Sequence, residues 1–331
     1  MIHALNVESD EAVWQAILRS SVRSVRELQH LLELQDKQID WTKDSAFSLH
    51  VPRTFVERME KGNPRDPLLL QVVPSREELS STEGYVPDPL KENEFLLHGG
   101  VVKKYANRAL VITTQACPVH CRYCFRRHFG YSTHQLTDFQ STLDTLSNDP
   151  SIAEVILSGG DPLTLSNAKL EAFIHQIQRI NHIRILRIHT RFPVMIPQRV
   201  TPALVEILSK TRLKVVIVVH INHPNEVDDS VHGAIEQLRN AQIDVFNQSV
   251  LLKGVNDSVQ ILSTLMHRVF EIGVVPYYLH LFDPVAGAHH FDLPETTAFA
   301  LWKKLHSQLP GYLVPRLVRE VPHQPAKTIQ I

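Results

Sequence analysis

Residues 110–124 read Leu110-Val-Ile-Thr-Thr-Gln-Ala-Cys117-Pro-Val-His-Cys121-Arg-Tyr-Cys124, a β-branched run followed by a tight group of cysteines. The run at 110–113 is typical of a buried β-strand. The chain of 331 residues contains three cysteines, and all of them lie in this stretch. An odd number of cysteines cannot complete a disulfide framework, and a chain of this length does not need one. The stretch therefore predicts a strand that ends in a metal-binding or redox-active loop.

Short β-branched runs alternate with amphipathic stretches from about residue 108 onward. The runs predict strands at 110–113, 154–158, 183–189, 214–220, 243–246 and 275–282, and 312–318 is a candidate for a last strand. The stretches between them predict helices at 167–180, 201–211, 227–241, 257–271 and 294–308. Such alternation implies parallel strands joined by right-handed crossovers. About six units are fewer than the eight of a closed barrel. We therefore predict an α/β fold with a partial (β/α)6 barrel, and a doubly wound open sheet is the alternative.

The first hundred residues follow a different pattern. Trp14, Ile17, Leu28 and Leu32 belong to a series of apolar residues that recur at helical spacing between residues 10 and 60. Proline and glutamate are frequent from Pro64 to Pro89, which predicts a loop or linker. We predict a helical N-terminal region and linker over residues 1–100, followed by the barrel and its C-terminal segment over residues 101–331.

The composition is that of an ordinary globular protein, with 43% hydrophobic and 21% charged residues. The 34 basic and 35 acidic residues nearly cancel, which leaves no basic field for nucleic acid or anionic lipid. Apolar runs such as Val215 to Val219 are far shorter than the ~20 residues of a membrane-spanning helix. The acidic residues that soon follow Met1 are unlike a secretory or mitochondrial signal. We predict a cytoplasmic protein with no nucleic-acid or membrane partner.

Polar side chains gather where the predicted strands end. Cysteines follow the first strand, and Ser158-Gly-Gly-Asp161 follows the second. The next three strands are followed by His189-Thr-Arg191, by a polar stretch from His220 and by Asn247-Gln-Ser249. Because the chemistry of parallel α/β folds lies at the C-terminal ends of the strands, we expect one rim to carry the functional site.

Three interpretations of the cysteine group are open at this point. A structural zinc ion would take His120 or His128 as its fourth ligand. A thiol redox centre would use Cys121 and Cys124 and leave Cys117 unexplained. A 4Fe–4S cluster held by three thiolates would leave one iron open to an exogenous ligand. The tight spacing and the lack of a fourth cysteine in the sequence favour the cluster.

The pattern Cys117-x3-Cys121-x-Tyr123-Cys124 resembles the signature of radical S-adenosylmethionine (SAM) enzymes. In that family, three cysteines hold a 4Fe–4S cluster and the open iron binds SAM. Longer stretches resemble lysine 2,3-aminomutases, which use pyridoxal phosphate (PLP) in addition to the cluster. The similarity extends from about Tyr105 to Lys327. It is carried by Cys124-Phe-Arg126-Arg127, Ser158-Gly-Gly-Asp-Pro-Leu163, Asn222-His-Pro-Asn-Glu226, residues 247–257 and Pro276-Tyr-Tyr278.

The resemblance implies a set of residues for each cofactor. The 4Fe–4S cluster would be held by Cys117, Cys121 and Cys124. SAM would contact the glycine motif after the second strand and residues around it, namely Tyr123, Ser158, Gly159, Gly160, Asp161 and Gln248. PLP would be anchored as a Schiff base on the catalytic Lys327, since PLP enzymes need such a lysine. Its phosphate would be held by Lys104, Tyr105 and Arg108, and Lys and Arg are the usual phosphate partners.

The resemblance also implies L-lysine as the substrate. Arg126 would bind the α-carboxylate, for which a planar guanidinium is well suited. Asp283 and Glu320 would hold the ε-ammonium group, although the family has an aspartate at the position of Glu320. The expected reaction is the conversion of L-α-lysine to (R)-β-lysine.

The chain stops at Ile331, four residues after Lys327, and contains no further cysteine. This shorter form resembles the aminomutases that supply (R)-β-lysine for the modification of elongation factor P by a lysyl-tRNA-synthetase-like ligase. An electron donor protein would reduce the cluster. One alternative is an aminomutase that makes a β-amino acid metabolite from lysine or another amino acid. A non-catalytic iron–sulfur protein is the alternative from a different class.

Overall fold

The structure is a computed structural model, which describes residues 2–35, 41–42, 45–130 and 139–329. The described residues form one sheet of ten strands, and neighbouring strands in the sheet are also neighbours along the chain. We number the strands β1 to β10 as Leu96–Leu97, Val101–Tyr105, Arg108–Thr114, Glu154–Gly159, Ile185–Thr190, Lys214–Val219, Asp244–Val250, Val275–His280, Arg316–Arg319 and Thr328–Ile329.

The strands from β3 to β9 run parallel to one another, while β1, β2 and β10 pair antiparallel at the two ends of the sheet. Among the described residues, each connection between parallel strands contains a crossover helix, in the order Phe139–Ser147, Asn167–Ile177, Pro202–Ser209, Asp229–Asn240, Val259–Glu271 and Glu295–Gln308, and the connection from β5 to β6 also contains the short helix Phe192–Met195. A doubly wound sheet reverses its strand order at a switch point, and this sheet does not. The prediction of a partial (β/α)6 barrel is therefore confirmed, and the open doubly wound sheet is excluded.

The strands are rich in Val and Ile because their helix-facing side chains are buried under the crossover helices. Val155, Leu157, Ile188, Ile217 and Val219 are all buried in one continuous hydrophobic core. The predicted strands are all present, with ends that differ by a few residues, and the candidate last strand is shorter than the pattern indicated. Sequence periodicity thus located the parallel part of the fold.

Several elements escaped the prediction: the strands β1, β2 and β10, and the helices Phe139–Ser147 and Phe192–Met195. Strand β2 turns directly into β3, with Tyr105 paired opposite Arg108. A connection of two residues can join only antiparallel strands. β2 therefore lies outside the strand–helix alternation from which the other strands were recognised.

The N-terminal region is helical, as predicted, with helices at Ile2–Arg19, Val25–Leu31, Arg53–Val56 and Pro67–Leu70. Trp14, Leu28 and Leu32 are buried in the same hydrophobic core as the barrel strands. Because this core is continuous, the division of the chain at residue 100 stays a prediction. Among the described residues, no helix combines the length and the apolar character needed to cross a membrane.

Residues 64–89 contain short capped turns, in place of the simple linker that their composition suggested. These turns pack against residues 115–127, which follow β3 and form the cysteine loop. Asp66 is buried and caps the helix Pro67–Leu70 by accepting hydrogen bonds from the amides of Leu68 (2.8 Å) and Leu69 (2.9 Å). Glu78 is also buried, and its carboxylate accepts hydrogen bonds from Arg122 Nε (2.7 Å) and Arg127 Nη2 (2.6 Å). The N-terminal region thereby supplies a counter-ion for two arginines of the cysteine loop.

Candidate active site

A cavity of about 300 Å³ opens at the C-terminal ends of the parallel strands. All of the residues that the sequence predicted for the site line this cavity: Cys117, Cys121, Cys124, Lys104, Tyr105, Arg108, Tyr123, Arg126, Ser158, Gly159, Gly160, Asp161, Gln248, Asp283, Glu320 and Lys327. The cysteines, on the loop after β3, and Lys327, just before β10, thus face one shared space. The individual roles of these residues stay predictions.

The cysteine loop is held by a buried arginine that follows β5. Arg191 Nη1 donates a hydrogen bond to Cys121 Sγ at 2.8 Å, and its Nη2 donates to Glu226 at 2.8 Å and to Gln71 at 3.2 Å. A cationic N–H donor stabilises negative charge that develops on a sulfur atom. The loop is therefore built to carry thiolate ligands.

The three thiols are half-buried in the wall of the cavity. Burial, reinforced by the neighbouring acidic groups and thiols, raises the pKa of Cys117, and burial raises the pKa of Cys124 to about 11. Such thiols ionise readily only when a metal binds them. In the described part of the chain, no three His, Cys, Asp or Glu side chains converge as ligands of a single metal ion. In an iron–sulfur cluster, by contrast, each thiolate can bind its own iron atom.

A glycine pair after β4 lies directly against the start of the cysteine loop. Gly159 has a φ of +112°, and a Cβ atom at Gly160 would lie 2.3 Å from the carbonyl oxygen of Ala116. The amide of Gly160 donates to the carbonyl of Thr114 at 2.7 Å. Glycine is required here because the two backbones approach more closely than any side chain permits. Their backbone groups line the same cavity as the cysteines.

Asp161 holds the loop after β4 against the end of β5 through hydrogen bonds. Its carboxylate accepts hydrogen bonds from the hydroxyl of Thr190 (2.7 Å) and from the amides of Arg191 (2.7 Å) and Leu163 (3.0 Å). Burial raises the pKa of Asp161 to about 6, although these hydrogen bonds oppose the shift. The side chain therefore joins the loop after β4 to the end of β5.

Tyr123 belongs to a second hydrogen-bond network at the cysteine end. Its hydroxyl accepts a hydrogen bond from Asn222 Nδ2 at 2.6 Å and donates to Gln71 Oε1 at 3.3 Å. Gln71 also donates to Glu226 at 3.0 Å. Gln71 had no sequence signal, because it comes from the N-terminal region and reaches the cavity only through tertiary packing.

The opposite end of the cavity carries an ion network around Glu320. The Lys327 ammonium is hydrogen-bonded to one oxygen of Glu320, while the other oxygen lies 2.9 Å from the Tyr105 hydroxyl and 3.4 Å from Lys104 Nζ. Burial alone would raise the pKa of Glu320, but the two lysines and the tyrosine outweigh it and lower the pKa to about 2. Glu320 is therefore ionised at any physiological pH.

Asp283, at the same end of the cavity, behaves differently. Burial raises its pKa to about 7, and the nearby Lys327 only partly offsets this effect. The two predicted ε-ammonium ligands thus differ, because Glu320 is directly paired with cations and the pKa of Asp283 is set mainly by burial. One carboxylate is permanently charged and the other titrates near neutral pH.

Arg126 lies between the two ends of the cavity, and its guanidinium is engaged by a glutamate that the sequence did not indicate. Nε and Nη2 donate to the two carboxylate oxygens of Glu92 at 2.6 and 2.9 Å, and Nη1 donates to Ser158 Oγ at 2.9 Å. Lys104 Nζ lies 3.6 Å from Glu92. Glu92 precedes β1 in the segment before the barrel, where no periodicity marked it as functional.

The remaining predicted residues have looser surroundings. The Arg108 guanidinium lies over the ring of Tyr105, 4.2 Å from its centroid, and Gln248 is 2.7 Å from His220 Nε2. His189 and His280 also line the cavity, and their buried Nε2 atoms have no hydrogen-bond partner among the described residues. Their position at the ends of β5 and β8 was a usable signal, since polar residues gather at strand ends.

Comparison with known proteins places this geometry in context. Residues 111–265 match the family model described as the Radical SAM superfamily. The chain is 43% identical to the L-lysine 2,3-aminomutase of Haemophilus influenzae over 97% of this chain and 96% of that protein. It is also 43% identical to the enzyme of the same name from Escherichia coli, over 99% of this chain and 96% of that protein. The crystal structure of Streptococcus suis SuiB bound to S-adenosylmethionine covers 68% of this chain and 52% of its own, with 12% identity and a TM-score of 0.49.

We predict that Gly160→Ala displaces the start of the cysteine loop, because the added methyl group would collide with backbone atoms of Gln115 and Ala116. The variant should melt several degrees below the parent protein. It should also take up less iron during anaerobic reconstitution.

Gly233→Ala is the matched control for this variant. Gly233 lies inside the helix Asp229–Asn240, and a Cβ atom there would meet no other atom within 4 Å. Alanine stabilises a helix interior by roughly 0.5–1 kcal/mol relative to glycine. Equal melting temperatures and iron contents for the two variants would show that the close approach at Gly160 is unimportant.

Proposed function

The chain belongs to the radical SAM L-lysine 2,3-aminomutase family of isomerases, and we propose that it converts L-α-lysine to (R)-β-lysine with PLP carried on Lys327. One observation carries the proposal. The cavity joins three cysteines at one end to a lysine beside two carboxylates, Asp283 and Glu320, at the other. A non-catalytic iron–sulfur protein would have no use for the second end.

The radical SAM family uses a 4Fe–4S cluster and SAM, and the residues present fit both. Cys117, Cys121 and Cys124 supply three thiol ligands on one short loop, and Arg191 donates a hydrogen bond to the sulfur of Cys121. Gly159 and Gly160 leave backbone groups exposed to the cavity beside that loop. When bound, the cluster and SAM supply a 5′-deoxyadenosyl radical that can take a hydrogen atom from the substrate.

The opposite end of the cavity fits PLP. Lys327 would hold the cofactor, and Lys104, Tyr105 and Arg108 offer cationic and hydroxyl donors for its phosphate. The buried Nε2 atom of His280, without a partner among the described residues, also faces this space. PLP supplies a conjugated system that stabilises charge or an unpaired electron next to the migrating nitrogen. Glu320 pairs with the Lys327 side chain and orients it until the cofactor arrives.

Two groups of the chain are suited to the two charged ends of lysine. Arg126 presents a buried guanidinium for the α-carboxylate, and Asp283 and Glu320 present carboxylates for the ε-ammonium group. Lysine would then be held at both ends by residues of this chain.

Anaerobic turnover tests the proposal directly. The reconstituted protein with a chemical reductant should cleave SAM to 5′-deoxyadenosine only when L-lysine is added, and chromatography should show β-lysine. Parallel assays with L-ornithine and L-glutamate distinguish lysine from other substrates. Lysine-independent cleavage, or a β-amino acid from another substrate only, would rule the proposal out.

We predict that Lys327→Ala abolishes β-lysine formation while SAM binding and iron content stay normal. Borohydride treatment of the PLP-loaded parent protein should attach a pyridoxyl group to the peptide that contains Lys327, and the variant should acquire none. Lys303→Ala is the control, because Lys303 is exposed on the helix Glu295–Gln308 and does not line the cavity. If the trapped peptide contains a different lysine, Lys327 is not the PLP anchor.

We predict that the KM for L-lysine rises as the pH falls from 8 to 6. Asp283 has a pKa of about 7, so it loses its negative charge over this interval while the substrate's ε-ammonium group stays protonated. The rise should be about tenfold if the carboxylate binds only when ionised. Asp283→Asn should have a high KM that changes little with pH. A pH dependence that survives in Asp283→Asn would assign the titration to another group.

We further propose that the β-lysine is attached to elongation factor P by a lysyl-tRNA-synthetase-like ligase in the cytoplasm, with an electron donor protein that reduces the cluster. The support is the resemblance of the sequence to aminomutases of that type. Mass spectrometry of elongation factor P should show the loss of the β-lysyl group when the gene is deleted and its return when β-lysine is supplied. An unchanged mass after deletion would favour a free β-amino acid metabolite as the product.

A further inference from the structure

Glu92 is a buried carboxylate that the proposed chemistry does not use. It begins a short helical turn, Glu92–Phe95, just before β1, and its side chain is 4% exposed. Its two oxygens receive Nε and Nη2 of Arg126 at 2.6 and 2.9 Å, which is a bidentate pair. Burial would raise the pKa of Glu92, but Arg126 and Lys104 outweigh it and lower the pKa, so the carboxylate is ionised.

The pairing has a direct consequence for any carboxylate ligand of Arg126. Nη1 already donates to Ser158 Oγ at 2.9 Å and to the carbonyl of Gly159 at 3.3 Å. A guanidinium has two edges that offer a pair of parallel N–H groups: the Nη1–Nη2 edge is already engaged at Nη1, and Glu92 occupies the Nε–Nη2 edge. A substrate carboxylate can therefore bind Arg126 in a bidentate manner only if Glu92 leaves that edge.

A second cation is within reach of Glu92. Lys104 Nζ lies 3.6 Å from Glu92 Oε1 and 3.4 Å from Glu320 Oε1, and the Lys104 side chain is 11% exposed. Charges thus alternate along Arg126, Glu92, Lys104, Glu320 and Lys327. A small rotation of Glu92 would exchange Arg126 for Lys104 without leaving the carboxylate unpaired, which matters because an unpaired buried charge is costly.

We propose that Glu92 is a resident counter-ion that occupies the position of the substrate carboxylate on Arg126 and moves to Lys104 when lysine binds. This inference rests on the proposed function, since it takes Arg126 and Glu320 as the groups that bind lysine. After the exchange, Arg126 pairs with the substrate carboxylate, Glu92 with Lys104, and Glu320 with the ε-ammonium group. Each of these charges then has a partner, and Tyr105 and Arg108 remain for the PLP phosphate.

The exchange makes Glu92 a determinant of specificity. A ligand that lacks a carboxylate cannot replace Glu92 on Arg126, so the network keeps its resting pairs. A ligand with a carboxylate and a distal ammonium group supplies both missing charges: its carboxylate pairs with Arg126, and its ammonium group pairs with Glu320. The chain would therefore discriminate between amino acids and simple amines by charge pairing as well as by shape.

Two ligands isolate the contribution of the carboxylate. 6-Aminohexanoate keeps the carboxylate and distal ammonium of lysine but lacks the α-amino group that reacts with PLP, and 1-aminopentane lacks the carboxylate as well. Isothermal titration calorimetry on the anaerobic holoenzyme gives a dissociation constant for each. Their ratio reports the carboxylate alone, because changes at Glu320 or Asp283 affect both ligands.

In Glu92→Gln, 6-aminohexanoate should gain about tenfold in affinity relative to 1-aminopentane, because the ligand no longer displaces a charged competitor. Glu94→Gln is the matched control: Glu94 lies on the same turn, is half exposed, and pairs with Lys91 at 3.2 Å and His323 at 3.0 Å. Its ratio should equal that of the parent protein. A ratio that falls or stays constant in Glu92→Gln would overturn the exchange, since a residue that only orients Arg126 would weaken carboxylate binding when lost.

Lys104→Met gives a second test that leaves Glu92 in place. Without a cation to receive Glu92, the relative affinity for 6-aminohexanoate should fall about tenfold, and an unchanged ratio would overturn the exchange.

Arg126→Met separates this inference from the proposed function. If Arg126→Met leaves the affinity ratio of the two ligands unchanged, Arg126 does not bind the carboxylate. The proposed exchange and the role of Arg126 in the proposed function then both fail. If the ratio falls in Arg126→Met but does not rise in Glu92→Gln, only the exchange fails.

Discussion

The buried guanidinium of Arg191 links the chain segments that form the cavity. It follows β5, and it contacts Cys121 from the loop after β3, Glu226 from the loop after β6, and Gln71 from the N-terminal region. Its backbone amide is held by Asp161, from the loop after β4. Five separate segments therefore meet at one buried cation. Because a buried carboxylate such as Glu226 is stable only with its counter-ion, the position of each loop depends on the others, and the cysteine loop cannot be placed independently of the barrel.

Electrostatics divides the cavity into two ends with different tasks. The cysteine end gathers thiols and N–H donors, which suits ligands that carry negative charge on sulfur. The other end gathers carboxylates and lysines, and the contrast between Glu320 and Asp283 shows how pairing decides ionisation: two cations hold the pKa of Glu320 at about 2, while burial takes that of Asp283 to about 7. A substrate with a cation at one end and a carboxylate at the other fits this polarity, and lysine has both.

Much of this arrangement could be predicted from the sequence, because two simple regularities govern it. Val- and Ile-rich runs alternate with amphipathic helices, and polar residues follow the strands, so the parallel barrel and its rim were both recognisable. The family resemblance then named residues that all line the one cavity. β2 was missed because its tight hairpin breaks the alternation. Gln71 was missed because it is a single polar residue in an apolar run, and Glu78 and Glu92 were missed because they lie among other charged residues, where nothing local distinguishes them from solvated side chains.

Glu78 and Glu92 explain why the N-terminal region belongs to the active site. The cysteine loop carries three arginines, Arg122, Arg126 and Arg127, and all three guanidiniums are buried. Glu78 is the counter-ion of the first and third, and Glu92 of the second. None of these acids comes from the strands or crossover helices of the barrel. A barrel without the preceding segment would lose the Glu78 and Glu92 counter-ions of these arginines, and removing the partner of a buried charge is strongly destabilising. The region that looked chemically silent in sequence thus helps the cation-rich cysteine loop to fold.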